Sequence, residues 1–167
     1  MEIGEIYFWT ATIFKWIHLL QPDLLKDVII RSLKHLSDSG KTDVYAFVIM
    51  PNHIHLIWKL KELNGKEFPH ASFLKFTAHA FKSALKQTRE KLSEFYVDEA
   101  NKTFNFWQMD SLVVPLYSKK VAFQKLDYIH NNPLGERWNL CKSPEEYSYS
   151  SARFYESGID RFRSEER

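Results

Sequence analysis

The stretch AFVIMPNHIHLIWKL, residues 46–60, decides how this chain is read. Residues 44–50 form a short apolar run and residues 53–60 a second one, rich in β-branched and aromatic types, with Pro51-Asn52 between them. Two such runs around a two-residue break predict an antiparallel strand pair closed by a tight turn. Side chains alternate faces along a strand, so His53 and His55 project from the same face and Ile54 from the other, into the core. Two imidazoles on a rigid mount can grip one divalent ion, and they follow directly on a turn, where sites tend to gather. Two half-exposed histidines on a strand also need no ligand, so spacing alone leaves both readings open.

Upstream, residues 6–16 (IYFWTATIFKW) carry the composition of a strand. Pro22 opens and Gly40 closes a helical segment in which Leu24, Leu25, Val28, Ile29, Leu33 and Leu36 fall at helical spacing. Downstream, residues 61–69 are polar and loop-like, and residues 71–92 predict one long amphipathic helix. Residues 93–111 read as irregular, with an aromatic knot at Phe104, Phe106 and Trp107. Residues 112–117 predict a strand that Pro115 confines to an edge or an end. Ser118 is a good N-cap for a helix running to about Asn131 and stopping before Pro133. Pro144 and two glutamates after Ser143 predict a short helical start. The expected architecture is α+β: a ferredoxin-like antiparallel sheet with helices packed on one face. It forms a single domain over residues 1–167, with about 160–167 as a frayed tail.

Composition limits the function classes. The 167 residues are 44% hydrophobic and 26% charged, ordinary for a globular chain long enough to bury a real core. A net charge of +2 is far from that of a protein that coats duplexes, so any nucleic-acid contact must come from a local stripe. Aromatics reach 16%; they can stack on unpaired bases or simply fill the core. The lone Cys141 cannot pair within the chain, which predicts a reducing, cytoplasmic setting. No apolar run approaches membrane-spanning length, and MEIGEIYFWT lacks the basic start and apolar stretch of a signal peptide.

Two further groups carry chemistry. On the helix that ends near Asn131, Ala122, Phe123, Leu126 and Ile129 form the apolar face. Tyr128 lies outside it, with Gln124 and Asn132 within roughly 40° of it. A phenol can attack phosphorus and hold the chain covalently, and an amide oxygen at i+4 can complete a metal shell. A tyrosine at a helix margin is equally a packing residue, and Asn before Pro a normal helix ending. Lys75, Lys82, Lys86 and Arg89, with His79, share one side of the long helix. They form either a track for a phosphate backbone or an ordinary solvated face.

Taken together, AFVIMPNHIHLIWKL (46–60), YIHNNP (128–133) and EEYSYSSARFY (145–155) resemble the HUH-type single-tyrosine transposases, and most of all the REP-associated tyrosine transposases. FKSALK (81–86) and FWQ (106–108) match more loosely. The resemblance implies a transposase or endonuclease acting on single-stranded or hairpin-bearing repeat DNA. In that reading His53, His55 and Asn132 hold Mg²⁺ or Mn²⁺, and Tyr128 is the nucleophile that forms a 5′-phosphotyrosine. It implies no membrane partner and leaves a monomer or a homodimer open. A catalytically silent hairpin-binding module of the same fold, or a His-x-His hydrolase using water, are the competing readings. LVVPLYSKK (112–120) and the Leu-Gly-Glu after Pro133 depart from the family pattern, which bears on DNA-sequence preference.

Overall fold

The computed structural model describes residues 1–100 and 102–159. In chain order the elements are β1 (Ile6–Thr12), α1 (Asp23–Asp38), β2 (Thr42–Ile49), β3 (His53–Leu60), α2 (Pro69–Leu85), α3 (Arg89–Ser93), β4 (Tyr96–Glu99), β5 (Lys102–Phe104), β6 (Leu112–Pro115), α4 (Lys119–Asn131) and α5 (Ala152–Ser157). Four strands form one sheet in the order β2-β3-β1-β6, every neighbouring pair antiparallel. With α1 and α2 this is the β-α-β-β-α-β order of the ferredoxin-like fold; α3 and the separate β4-β5 hairpin are inserted between α2 and β6.

Period-two patterning sorts the two faces. Trp9 and Ala11 of β1 share one face with Ile54, Leu56 and Trp58 of β3, and α1 and α2 cover it with Val28, Ile29, Leu33, Phe73 and Phe81. At its centre Trp9 stacks on Trp58 with centroids 4.9 Å apart, and Phe73 of α2 meets Trp9 edge-on at 5.8 Å. Burying such a side chain stabilises the fold by about 1.5–3 kcal/mol. Phe8, Ala46, Val48, Met50 and Ile57 project from the opposite face, where Ile129 of α4 packs on them. The expected one-sided cover therefore holds for α1 and α2, while α4 adds partial cover to the second face. Its apolar stripe is the cause: Ile129 needs burial, and that face alone still has apolar partners that α1 and α2 leave uncovered.

Three boundaries differ from expectation. The first strand ends at Thr12 and gives way to a turn over Phe14–Trp16 in which Lys15 and Trp16 take left-handed φ values of 53° and 55°. The long helix breaks after Leu85, because Thr88 leaves helical space (φ −115°, ψ 71°), and the break lets Phe95 return to stack on Phe106 at 4.8 Å. The irregular stretch contains the β4-β5 hairpin, although Phe106 and Trp107 are buried as the aromatic knot requires. The caps behave as read: Ser118 accepts a hydrogen bond from Val121 N, and Ser143 and Glu146 form a capping box. Gly40 sits at φ +72° just past α1, a position that favours glycine. The expected frayed tail over 160–167 lies outside the described residues.

The segment after α4 closes the β2 edge. Ile49 N donates to Tyr149 O and Ser151 N to Phe47 O, while the Tyr147 and Tyr155 hydroxyls donate to the Ile49 and Tyr45 carbonyls. Covering an edge in this way removes a template for pairing with other chains. Among the described residues, no helix is long and apolar enough to cross a membrane.

Candidate active site

The antiparallel register sets Thr12 opposite His53 and Thr10 opposite His55, so both imidazoles stand on the face that α4 partly covers. Their ring centroids are 4.7 Å apart. Each ring is held at Nδ1. Thr10 Oγ1 lies 2.7 Å from His55 Nδ1, and Phe8 stacks on the same ring at 5.3 Å. Asn52 Oδ1 lies 2.7 Å from His53 Nδ1, while Asn52 Nδ2 donates to Trp16 O at 3.2 Å. The donation to a carbonyl fixes which way the Asn52 amide points. Its oxygen can only accept, so His53 Nδ1 carries the proton and Nε2 keeps a bare lone pair.

From α4 come the other two groups. The Tyr128 ring centroid lies 5.1 Å from that of His55, and its edge meets Phe8 at 6.0 Å, with half of the residue exposed. Asn132 follows one turn later in a short 3-10 turn, and its Nδ2 is 3.5 Å from His55 Nε2. The Asn132 oxygen is buried and has no hydrogen-bond partner. A dry, unpaired amide oxygen is costly unless something completes it. Among the described residues no cluster of three histidines, cysteines or carboxylates forms. Two imidazoles with one amide oxygen is therefore the ligand set available here. It suits a divalent ion that accepts nitrogen and hard oxygen and keeps positions free for substrate.

Electrostatics favour the same use. Burial, opposed by the neighbouring Asn132 amide and aided by Arg137, pushes His53 down to about 4. Burial first, then His53 and Lys125, push His55 down to about 3. Both rings are thus neutral near pH 7, the state a metal ligand needs. Arg137 lines the pocket together with Trp16 and Trp138. Lys125 places its ammonium 4.5 Å above the Phe8 ring and 5.8 Å from the Tyr128 ring centroid. Two cations beside a neutral donor set give the pocket a positive field that favours an anionic group.

The structure thus gathers His53, His55, Tyr128 and Asn132 around one pocket. It does not bring the basic stripe there. Lys75 and Lys82 belong to α2, which packs on the Trp9 and Trp58 face, on the far side of the sheet from His55. Lys75 pairs with Glu67 at 3.0 Å, and Lys82 sits 4.9 Å above the Phe104 ring. Lys86 follows the end of α2 and Arg89 opens α3, so the four do not share one helix. Asn52, Thr10, Lys125, Arg137 and the two pocket tryptophans escaped the reading of the sequence. Asn52 alone left a local signal, standing directly before the histidine pair.

No protein-family model matches the chain, and no curated protein matches it. Solved structures do. A protein of Deinococcus radiodurans R1 described as a transposase aligns at TM-score 0.45 and 18% identity, over 78% of this chain and 97% of its own. A REP-associated tyrosine transposase solved bound to a REP hairpin aligns at TM-score 0.63 and 20% identity, over 96% of this chain and 85% of its own. The chain has the fold of that transposase.

Proposed function

We propose that this protein is a metal-dependent, single-tyrosine HUH endonuclease and strand transferase acting on single-stranded, hairpin-bearing DNA. The observation that carries the reading is the convergence, in one pocket, of a half-exposed phenol, two neutral imidazoles and a buried amide oxygen without a partner. The fold shared with a hairpin-bound transposase supports the choice of substrate.

In this reading Tyr128 Oη attacks the scissile phosphorus. The phosphorus–oxygen bond to the 3′ oxygen breaks, leaving a 5′-phosphotyrosyl protein and a free 3′-hydroxyl; the phenol proton passes to solvent and the departing oxygen takes one up. A 3′-hydroxyl can later attack the phosphotyrosine and rejoin a strand, without an external energy source. His53, His55 and Asn132 would hold Mg²⁺ or Mn²⁺, which would polarise the phosphate and offset its developing charge. Thr10 and Asn52 keep the imidazoles turned inwards. Arg137 and Lys125 draw the phosphate into place. All four central groups come from one chain, which supports cleavage by a monomer and leaves a homodimer open as an assembly of such sites.

The test is incubation with Mn²⁺ and a labelled single-stranded hairpin, followed by denaturing electrophoresis. The wild type is expected to give an SDS-resistant adduct; Tyr128→Phe and the double variant His53→Ala, His55→Ala are not. Cleavage without an adduct would mean a hydrolase using water, and binding without cleavage a silent hairpin-binding module.

A further inference from the structure

We infer that Trp16 is the stacking platform for an unpaired nucleobase beside the phosphate that Tyr128 attacks, an inference that rests on the function proposed above. Trp9, Trp58 and Trp107 are buried, whereas Trp16 is 63% exposed although it lines the histidine pocket. Hydrophobic burial does not account for an indole left in water.

Its backbone is equally unusual. Lys15 and Trp16 are consecutive non-glycine residues in left-handed conformation, at φ 53° and 55°. Such strain persists only where the surroundings enforce it, and it gathers at functional sites. Here the enforcement is visible. Trp16 N donates to Ile13 O at 2.9 Å, Asn52 Nδ2 donates to Trp16 O at 3.2 Å, and Ile13 N donates to Asn52 O at 2.8 Å. The side chain of Asn52 that holds Trp16 also orients His53. The exposed indole is therefore set in register with the metal-ligand pair and does not ride on a loose loop.

The pocket supplies what a nucleotide needs. Arg137, another lining residue, is a partner for phosphate, and its guanidinium lies 5.2 Å over the ring of Trp138. An indole at the rim offers a flat face to the base attached to that phosphate. Only an unpaired base can present its own face to it, so the ligand is single-stranded DNA, and stacking of this kind tolerates any base.

The experiment measures binding in a Tyr128→Phe background, so that the DNA is not consumed. Fluorescein-labelled twelve-residue oligothymidylate is titrated by anisotropy against this protein and against the same protein carrying Trp16→Ala or Trp16→Phe. Melting temperatures serve as the folding control, and the exposure of Trp16 predicts that they match. Trp16→Ala is expected to weaken binding by roughly fivefold to a hundredfold, the range of one base–aromatic stack, and Trp16→Phe to restore most of it. In the adduct-forming hairpin, one abasic position next to the cut should weaken binding to the Trp16 protein but not to Trp16→Ala. Affinity unaffected by Trp16→Ala, or no binding by either protein, overturns the inference. Trp16-dependent binding with no adduct from the wild type sinks the nuclease reading alone; normal adducts with Trp16-independent binding sink the stacking platform alone.

Discussion

Truncating Asn52 to alanine should damage the proposed metal site from outside its ligand set. Asn52 is 2% exposed, and its amide joins His53 Nδ1 at 2.7 Å to the Trp16 carbonyl at 3.2 Å. Removing it leaves a buried N–H without an acceptor, and a buried group stripped of its partner costs about 1–3 kcal/mol. The Trp16 carbonyl also loses its donor, but on an exposed residue, so its share belongs at the low end. The expected loss of stability is about 2–4 kcal/mol, read from urea unfolding. The functional effect follows from the tautomer. Without an acceptor at Nδ1, His53 can place its proton on Nε2, the atom that the proposed ion would use. Loss of such an outer partner raises the Mn²⁺ half-saturation of adduct formation roughly 10- to 100-fold. Asn52→Asp separates the two roles, since its carboxylate still accepts from Nδ1 but cannot donate to Trp16 O. It should keep the Mn²⁺ dependence close to wild type. An Asn52→Ala protein with wild-type Mn²⁺ half-saturation would refute the tautomer argument, whatever happens to its stability.

Three other outcomes follow from the contacts. Ser151→Ala removes a hydroxyl that accepts from Phe47 N at 3.0 Å and lies 3.0 Å from His130 Nε2, so it should lower unfolding free energy by about 1–3 kcal/mol; an unchanged urea midpoint would show that the tail does not secure the β2 edge. His55 is neutral in the folded chain down to about 3, whereas the unfolded chain takes up a proton below about 6.5. Stability from this group is therefore full well above pH 6.5 and is lost as pH falls through 6.5 towards 3, by about 1.6 kcal/mol between pH 6.5 and 5 without metal. His55→Gln should flatten that slope, and parallel slopes for the two proteins would contradict it. Charge reversal at Lys82 and Lys86 together should reduce hairpin affinity and flatten its salt dependence by about 0.7–0.9 in log–log slope for each phosphate no longer neutralised, while adduct formation at saturating DNA is unaffected, because α2 lies across the sheet from the pocket. An unaltered slope would make these lysines an ordinary solvated face.

What the residues disclosed in advance was local. Alternation placed His53 and His55 on one face and Ile54 in the core, because the period of a strand is a property of the strand itself. The cap of α4 and the turn at Pro144 were legible for the same reason. The β4-β5 hairpin was not, since YVDE and KTF carry almost no apolar alternation and little more than the Tyr96–Phe104 contact at 6.2 Å marks the pair. Periodicity found the side of α2 that carries its lysines but could not say which face of the sheet that helix would cover. The approach of Asn132 to His55 joins residues 77 positions apart, and only the family resemblance anticipated it. Asn52 reads as turn punctuation until Trp16, 36 residues away, supplies the second end of its amide.

The partial cover of the second sheet face explains how one surface serves both stability and chemistry. A face fully covered by helices would become core, with no room for a phosphodiester; a bare face would leave the histidines hydrated at their ordinary pKa. The intermediate solution comes from α4, which buries Ile129 completely, leaves Phe123 and Tyr128 exposed, and carries Asn132 just past its end. A helix anchored by so little apolar surface needs other restraints. His130 supplies one through the Ser151 hydroxyl, which in turn meets the backbone of Phe47 on β2. Tyr128 thus owes its place beside His55 partly to a serine in the tail that follows α4. The tail motif helps set the geometry of the proposed active site although none of its residues lines the pocket.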